Sequence, residues 1–170
     1  SGTTKPIISP PAVSFHPKKG QLIMFGTGKY LETADTTNTS TQSIYGLWDL
    51  NTPATITAGM LVQQVMTDAT VRTATQNQVT YSDTIKGWYI NLPVSGERIT
   101  GVPMLEDGIL LFTTIVPSAS PCDFGGRGFA NALDFLTGSM LAFPAFDINR
   151  NRVLSLDDGL SAGVEIGFSV

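Results

Sequence analysis

The chain has 170 residues, 42% of them hydrophobic and only 14% charged, where an average soluble chain carries about 25% charged residues. A net charge of −4 leaves too few cations for a phosphate-binding surface and argues against nucleic acid or an anionic membrane as partner. No apolar run reaches the roughly 18 residues of a transmembrane helix, so no membrane insertion is expected.

Pro6, Pro10, Pro11 and Pro17 rule out a helix over residues 5–17 and favour an extended lead-in. Gln21 to Phe25 then reads as a buried strand closed by Gly26. Residues 33–43, nearly all Thr, Ser, Asn and Asp, read as an exposed loop. Ser43 to Trp48 resumes as a strand rich in aromatic and β-branched residues. Residues 60–66 and 69–81 are read as strands or an edge hairpin. Trp88 to Leu92 is a clear strand ended by Pro93, and Glu97 to Val102 a short one broken by Pro103. After the turn at Glu106-Asp107-Gly108, the run from Ile109 to Val116 is the strongest strand. Its unbroken apolar start predicts burial on both faces. A loop is expected over 117–128, a strand over Phe129–Phe135, a turn at Leu136-Thr137-Gly138 and then Met140 to Phe143. The fold class is therefore all-β, with strands at the short, turn-punctuated spacing of a sandwich, barrel or propeller. The Thr, Ser, Asn and Gln that cover its surface suit an extracellular protein. No charged n-region and apolar h-region open the chain, and Gly167 to Val170 reads as a strand in progress. Residues 1–170 are thus expected to be a single all-β segment of a longer exported protein.

Phe25-Gly26-Thr27-Gly28-Lys29-Tyr30 imitates a phosphate loop but fails as one. Ile23 stands where the first glycine belongs, Tyr30 stands where Ser or Thr belongs, and no helix follows. A tight turn is expected, with Gly26 and Gly28 supplying unusual backbone angles. Cys122 is the only cysteine and His16 the only histidine. Their separation and the proline-rich setting of His16 argue against a Cys–His pair, and Cys122 is read as a buried thiol. Glu32, Asp35, Asp49 and Asp123 read as solvated or turn-forming acids, so no catalytic residue is expected.

The sharpest candidate for chemistry is the window from Asp147 to Asp158. Oxygen-bearing side chains fall at positions 1, 3, 5 and 9 (Asp147, Asn149, Asn151, Ser155), Val153 offers a carbonyl at position 7, and Asp158 stands at position 12. That alternation suits calcium, because a curled backbone turns every second side chain inward. Arg152 replaces the usual glycine at position 6 and Asp158 has a shorter arm than the usual Glu. The other reading is an Asx-rich surface turn.

Four stretches in order resemble the C-terminal β-propeller of the PilC/PilY family of type IV pilus tip-associated adhesins and biogenesis factors. They are Met24 to Glu32, Gln42 to Asp49, Lys86 to Pro93 continuing through Gly96-Glu97-Arg98-Ile99, and Phe112-Thr113-Thr114 through Pro121 to Gly126 and on to Thr137-Gly138. The resemblance implies quinoprotein-like propeller blades, here an incomplete propeller fragment with strands for about two blades. It implies a non-catalytic module exported through the periplasm to the pilus and cell surface. It also implies pilus tip or minor pilin proteins, or a host surface receptor, as partners, and calcium control of pilus extension, retraction and attachment. The family's calcium loop tends to have acids at its first, fifth and ninth positions, where this chain has Asp147, Asn151 and Ser155. Two alternatives stand beside this reading. One is a quinoprotein-type oxidoreductase fragment, for which the sequence offers no cofactor cluster. The other is a carbohydrate-binding β domain using Trp48, Trp88 or Tyr89.

Overall fold

The computed structural model describes residues 5–118 and 126–167. Its strands in chain order are β1 (Ala12–Phe15), β2 (Gln21–Gly26), β3 (Ser43–Asp49), β4 (Leu61–Val65), β5 (Val71–Arg72), β6 (Gly87–Asn91), β7 (Met104–Glu106), β8 (Ile109–Val116), β9 (Arg127–Asp134) and β10 (Gly163–Ile166). They form two five-stranded sheets, ordered β1-β2-β3-β6-β4 and β5-β10-β9-β8-β7. All neighbours are antiparallel except β4, which runs parallel to β6. Each sheet thus holds a four-stranded antiparallel blade, β1-β2-β3-β6 or β7-β8-β9-β10, with one extra strand on its far edge. The described residues are all-β, in two blade-like sheets that do not close into a ring.

Alternation along the strands creates the core. Leu22, Met24, Ile44, Trp48, Trp88 and Ile90 of the first sheet meet Leu110, Phe112 and Leu133 of the second. Trp88 is fully buried and sets the geometry where the sheets meet. Its Nε1 donates to the Phe135 carbonyl at 3.0 Å. Gly46 and Gly138 lie against the indole, where added Cβ atoms would approach it to 2.4 and 2.2 Å. Gly138 also sits at φ +65°, in the left-handed region that closes the turn after β9.

The two extra strands come from one insertion. After β3 the chain places β4 on the edge of the first sheet, crosses, and places β5 on the edge of the second before returning as β6. A bridge between Met66 and Ala74, with Thr67 N–H donating to the Thr73 carbonyl (3.0 Å) and Thr75 N–H to that of Val65 (3.0 Å), ties the two arms together. Residues 61–75 therefore form a strap with one arm in each blade.

The lead-in is extended as expected and contains a short edge strand, β1. Several other local expectations are corrected. The stretch 33–43 opens with a single 3₁₀ turn, Thr33–Thr37, whose Asp35 is buried. Over 69–81 only Val71–Arg72 is ladder-paired within a sheet. Glu97–Val102 is a loop touching β8 through one bridge, Arg98 to Ile115, because its side chains serve polar contacts instead of a ladder. The β8 strand alternates, with Leu110, Phe112 and Thr114 buried and Ile109, Leu111 and Thr113 facing outward, so it is covered on one face only. Met140 to Phe143 is not a strand. Cys122 and Asp123 lie outside the described residues.

Candidate functional site

The window 147–158 folds into a ring of backbone N–H groups closed on side-chain oxygens. Asp147 Oδ1 accepts from Asn151 N–H at 3.1 Å and its Oδ2 from Arg152 N–H at 2.8 Å. Asn149 Oδ1 accepts from Asn151 N–H (3.0 Å) and Asn151 Oδ1 from Val153 N–H (2.7 Å). From the far end, Asp158 accepts Asn149 N–H on Oδ1 (3.2 Å) and Ser155 N–H on Oδ2 (2.9 Å). These bonds draw Asp147, Asn149, Asn151 and Asp158 together, with Val153 and Ser155 on the same curl. The amides of Ser155, Asn149 and Ile148 hold the Asp158 carboxyl below the ordinary aspartate range, because each hydrogen bond favours its charged form.

Curling costs the backbone two left-handed residues, Arg150 (φ 60°) and Arg152 (φ 67°), neither of them glycine. Arg152 adopts at position 6 the left-handed angle for which a calcium loop normally uses glycine. The donor set is all oxygen, as a hard cation requires, and includes two carboxylates. Each amide-bonded oxygen of Asn149 and Asn151 accepts one backbone N–H, which leaves it a further lone pair. The residues therefore fit calcium. Among the described residues no three His, Cys, Asp or Glu side chains come together as a metal cluster, so the fit depends on the amide, hydroxyl and carbonyl oxygens of Asn149, Asn151, Ser155 and Val153.

A groove of about 280 Å³ lies beside the loop. It is lined by Phe146, Asp147, Ile148 and Arg150, by Thr70 and Val71 of the strap, and by Val164 and Glu165 of β10. Deeper in, the strap delivers Arg72 between the sheets. Its guanidinium grips Glu97 through Nη1–Oε1 (2.7 Å) and Nη2–Oε2 (3.0 Å), and both side chains are fully buried. Thr114 Oγ1 (2.5 Å) and Val94 N–H (3.2 Å) donate to the same carboxylate, Asn131 Oδ1 accepts from Nη1 (3.3 Å), and the guanidinium stacks 3.2 Å from the Phe129 ring. The sequence offered no local sign of this pair, whose members lie in separate segments that read as ordinary strand.

The remaining candidates resolve as structural residues. His16 is wedged between Trp48 (4.7 Å) and Tyr81 (4.4 Å), and its Nδ1 accepts from Lys18 N–H. Burial, and secondarily the Lys18 charge, push its pKa down. Trp48 and Trp88 are buried, and Tyr89 is stacked in a row with Tyr45 and Phe25 at 6.0 and 5.4 Å. Those rings present faces to each other, so the row is packing within a sheet. In the glycine turn, only Gly28 has an unusual angle (φ 123°). Gly26 instead makes room for Ile99, whose Cγ2 would lie 2.3 Å from a Cβ there. Asp49 accepts from Asn51 N–H, as a turn-former does.

A family model described as the PilY1 beta-propeller domain matches residues 1–83. The chain is similar to the type IV pilus biogenesis factor PilY1 of Pseudomonas aeruginosa strain PAO1, at 34% identity over 184 residues, covering 91% of this chain and 16% of that protein. It is also similar to a type IV pilus biogenesis factor PilY1 homolog of Xylella fastidiosa strain Temecula1, at 30% identity over 149 residues, covering 81% and 10%. Among solved structures, the crystal structure of the Pseudomonas aeruginosa PilY1 C-terminal domain matches with a TM-score of 0.80 at 27% identity, over 97% of this chain and 40% of that one. The chain thus spans 16% of the length of the first of these relatives.

Proposed function

The chain belongs to the PilY family, and on that premise we propose that it is a non-catalytic propeller module of a type IV pilus biogenesis factor. In this reading it acts outside the cell in pilus assembly and surface attachment, through pilus tip or minor pilin proteins or a host surface receptor. The observation that carries the proposal is the shared backbone: a TM-score of 0.80 over 97% of the chain. A binding role also suits the use of the single histidine as a core side chain between Trp48 and Tyr81.

Calcium regulation belongs to the same reading. Asp147, Asn149, Asn151, the Val153 carbonyl, Ser155 and Asp158 would hold the ion. When bound, calcium would supply positive charge to two carboxylates and rigidity to the curl. With only two acids in the set, affinity is expected at the weak end of the calcium range, micromolar to millimolar.

Deleting the gene is expected to remove surface pili; a deletion strain with normal pili overturns the biogenesis role. Calorimetric titration with calcium tests the loop separately. Heat of binding is expected for the chain and not for Asp147→Ala, and equal heats for the two would move calcium elsewhere.

A further inference from the structure

We infer that the 147–158 loop and the strap form one unit, so that a cation held in the loop keeps β5 seated on the edge of the second sheet. The inference rests on the calcium reading of the loop and extends it to what the ion controls.

The loop adjoins the strap's groove at one end and leads into β10 at the other. Its first residues, with Phe146, line the same groove as Thr70 and Val71. Its last residue, Asp158, lies five positions before Gly163, where β10 begins. β10 is the strand on which the strap sits. Gly163 faces Arg72 and Val164 faces Val71, Ala162 N–H donates to the Arg72 carbonyl (2.7 Å), and Glu165 N–H to that of Thr70 (2.7 Å). Outside the ladder, Glu165 accepts from Arg127 through Nε (2.8 Å) and Nη2 (3.2 Å), and the same guanidinium lies 3.6 Å from Asp68 in the middle of the strap. Inside, Arg72 carries the connection to Glu97 between the sheets.

β5 is only two residues long, and Val71 is 39% exposed. Such a short edge strand opens more easily than the core strands. Whatever fixes the loop and the start of β10 holds still the loop and β10 residues that line the groove with the strap. An ion that binds the seated arrangement and not the opened one makes opening rarer by the factor 1 + [Ca²⁺]/Kd. The coupling is reciprocal, so a variant that leaves the strap seated only a fraction f of the time must raise the apparent calcium Kd by 1/f.

Hydrogen exchange with calcium present and absent, on the same sample used for calorimetry, tests this. At calcium ten times the measured Kd, exchange at Ala162 and Glu165 is expected to slow by up to about elevenfold. Amides of β2 and β3 serve as the unaffected reference, and Asp147→Ala should abolish the slowing. Val71→Gly, at a half-exposed site, should speed exchange at Ala162 and Glu165 without calcium and raise the calcium Kd by the reciprocal of the fraction of strap left seated. If calcium binds and these amides do not slow, or slow equally in Asp147→Ala, the coupling is wrong while the calcium reading stands. If no calcium binds at millimolar concentration, both fall together.

Discussion

Two loops in this molecule curl around aspartates, and they differ in where the counter-charge comes from. In the loop after β2, the buried Asp35 accepts Leu31 N–H (2.9 Å) and Glu32 N–H (3.2 Å), and Lys29 Nζ stands 3.5 Å from its other oxygen. Lys29 also pairs with Glu32. Arg98 braces the loop from beneath, donating to the carbonyls of Gly96 (2.9 Å), Lys29 (2.8 Å) and Asn38 (2.7 Å). The 147–158 loop satisfies Asp147 and Asp158 with amides alone. Among the described residues no ion pair reaches either carboxylate. The first loop carries its own counter-charge, whereas the second leaves two acids without an ion-pair partner among the described residues.

The largest expected effects come from breaking built-in counter-charge. Glu97→Ala leaves the Arg72 guanidinium buried without its carboxylate, which should cost about 3–5 kcal/mol in urea unfolding. The double replacement Arg72→Met with Glu97→Leu should be far milder, because no orphan charge remains. A small cost for Glu97→Ala alone would mean that water reaches the site. Next is Arg98→Ala, which strips charge-assisted donors from three carbonyls at the base of the first loop and should cost about 3 kcal/mol. The corresponding change in the second loop, Asp147→Ala, removes an exposed pair of amide contacts and should cost about 1 kcal/mol without calcium. If Asp147→Ala proved as damaging as Arg98→Ala, the second loop would be a structural brace and the contrast would fail.

The framework was legible in the sequence because strands announce themselves locally. Gln21–Phe25, Ser43–Trp48, Trp88–Leu92 and Ile109–Val116 all combine β-forming residues with turn punctuation, and each is a strand within a residue or so. The curl at 147–158 was legible for a similar reason, since alternating Asx residues act on amides two to five positions away. What stayed hidden is what depends on partners far along the chain. Arg72 meets Glu97 across 25 residues and Asn131 across 59. A Thr-rich stretch with one arginine reads as edge strand because nothing nearby shows where the guanidinium goes. The same blindness turned 97–102 into an expected strand: Glu97, Arg98 and Ile99 are buried, but for ion pairing, loop bracing and packing against Gly26.

Acid titration gives the smallest effect and the most direct test of the contrast between the loops. Asp35 is held below the ordinary aspartate range chiefly by the Leu31 amide, and Asp158 chiefly by the Ser155 amide. A carboxyl whose folded pKa is depressed binds fewer protons folded than unfolded. Its stabilisation is therefore fully present above the unfolded value, about 3.9 for aspartate, and is lost as pH falls through the lower folded value. Without calcium both loops should contribute to acid unfolding below about pH 4. With calcium only the second should change, because an ion held in that loop opposes protonation of Asp158, while Asp35 already has Lys29 beside it. The acid midpoint should move down in calcium for the native chain and stay fixed for Asp147→Ala. An equal shift in both would assign calcium to carboxylates elsewhere on this acidic surface and remove the distinction between a loop that carries its own cation and one that waits for it.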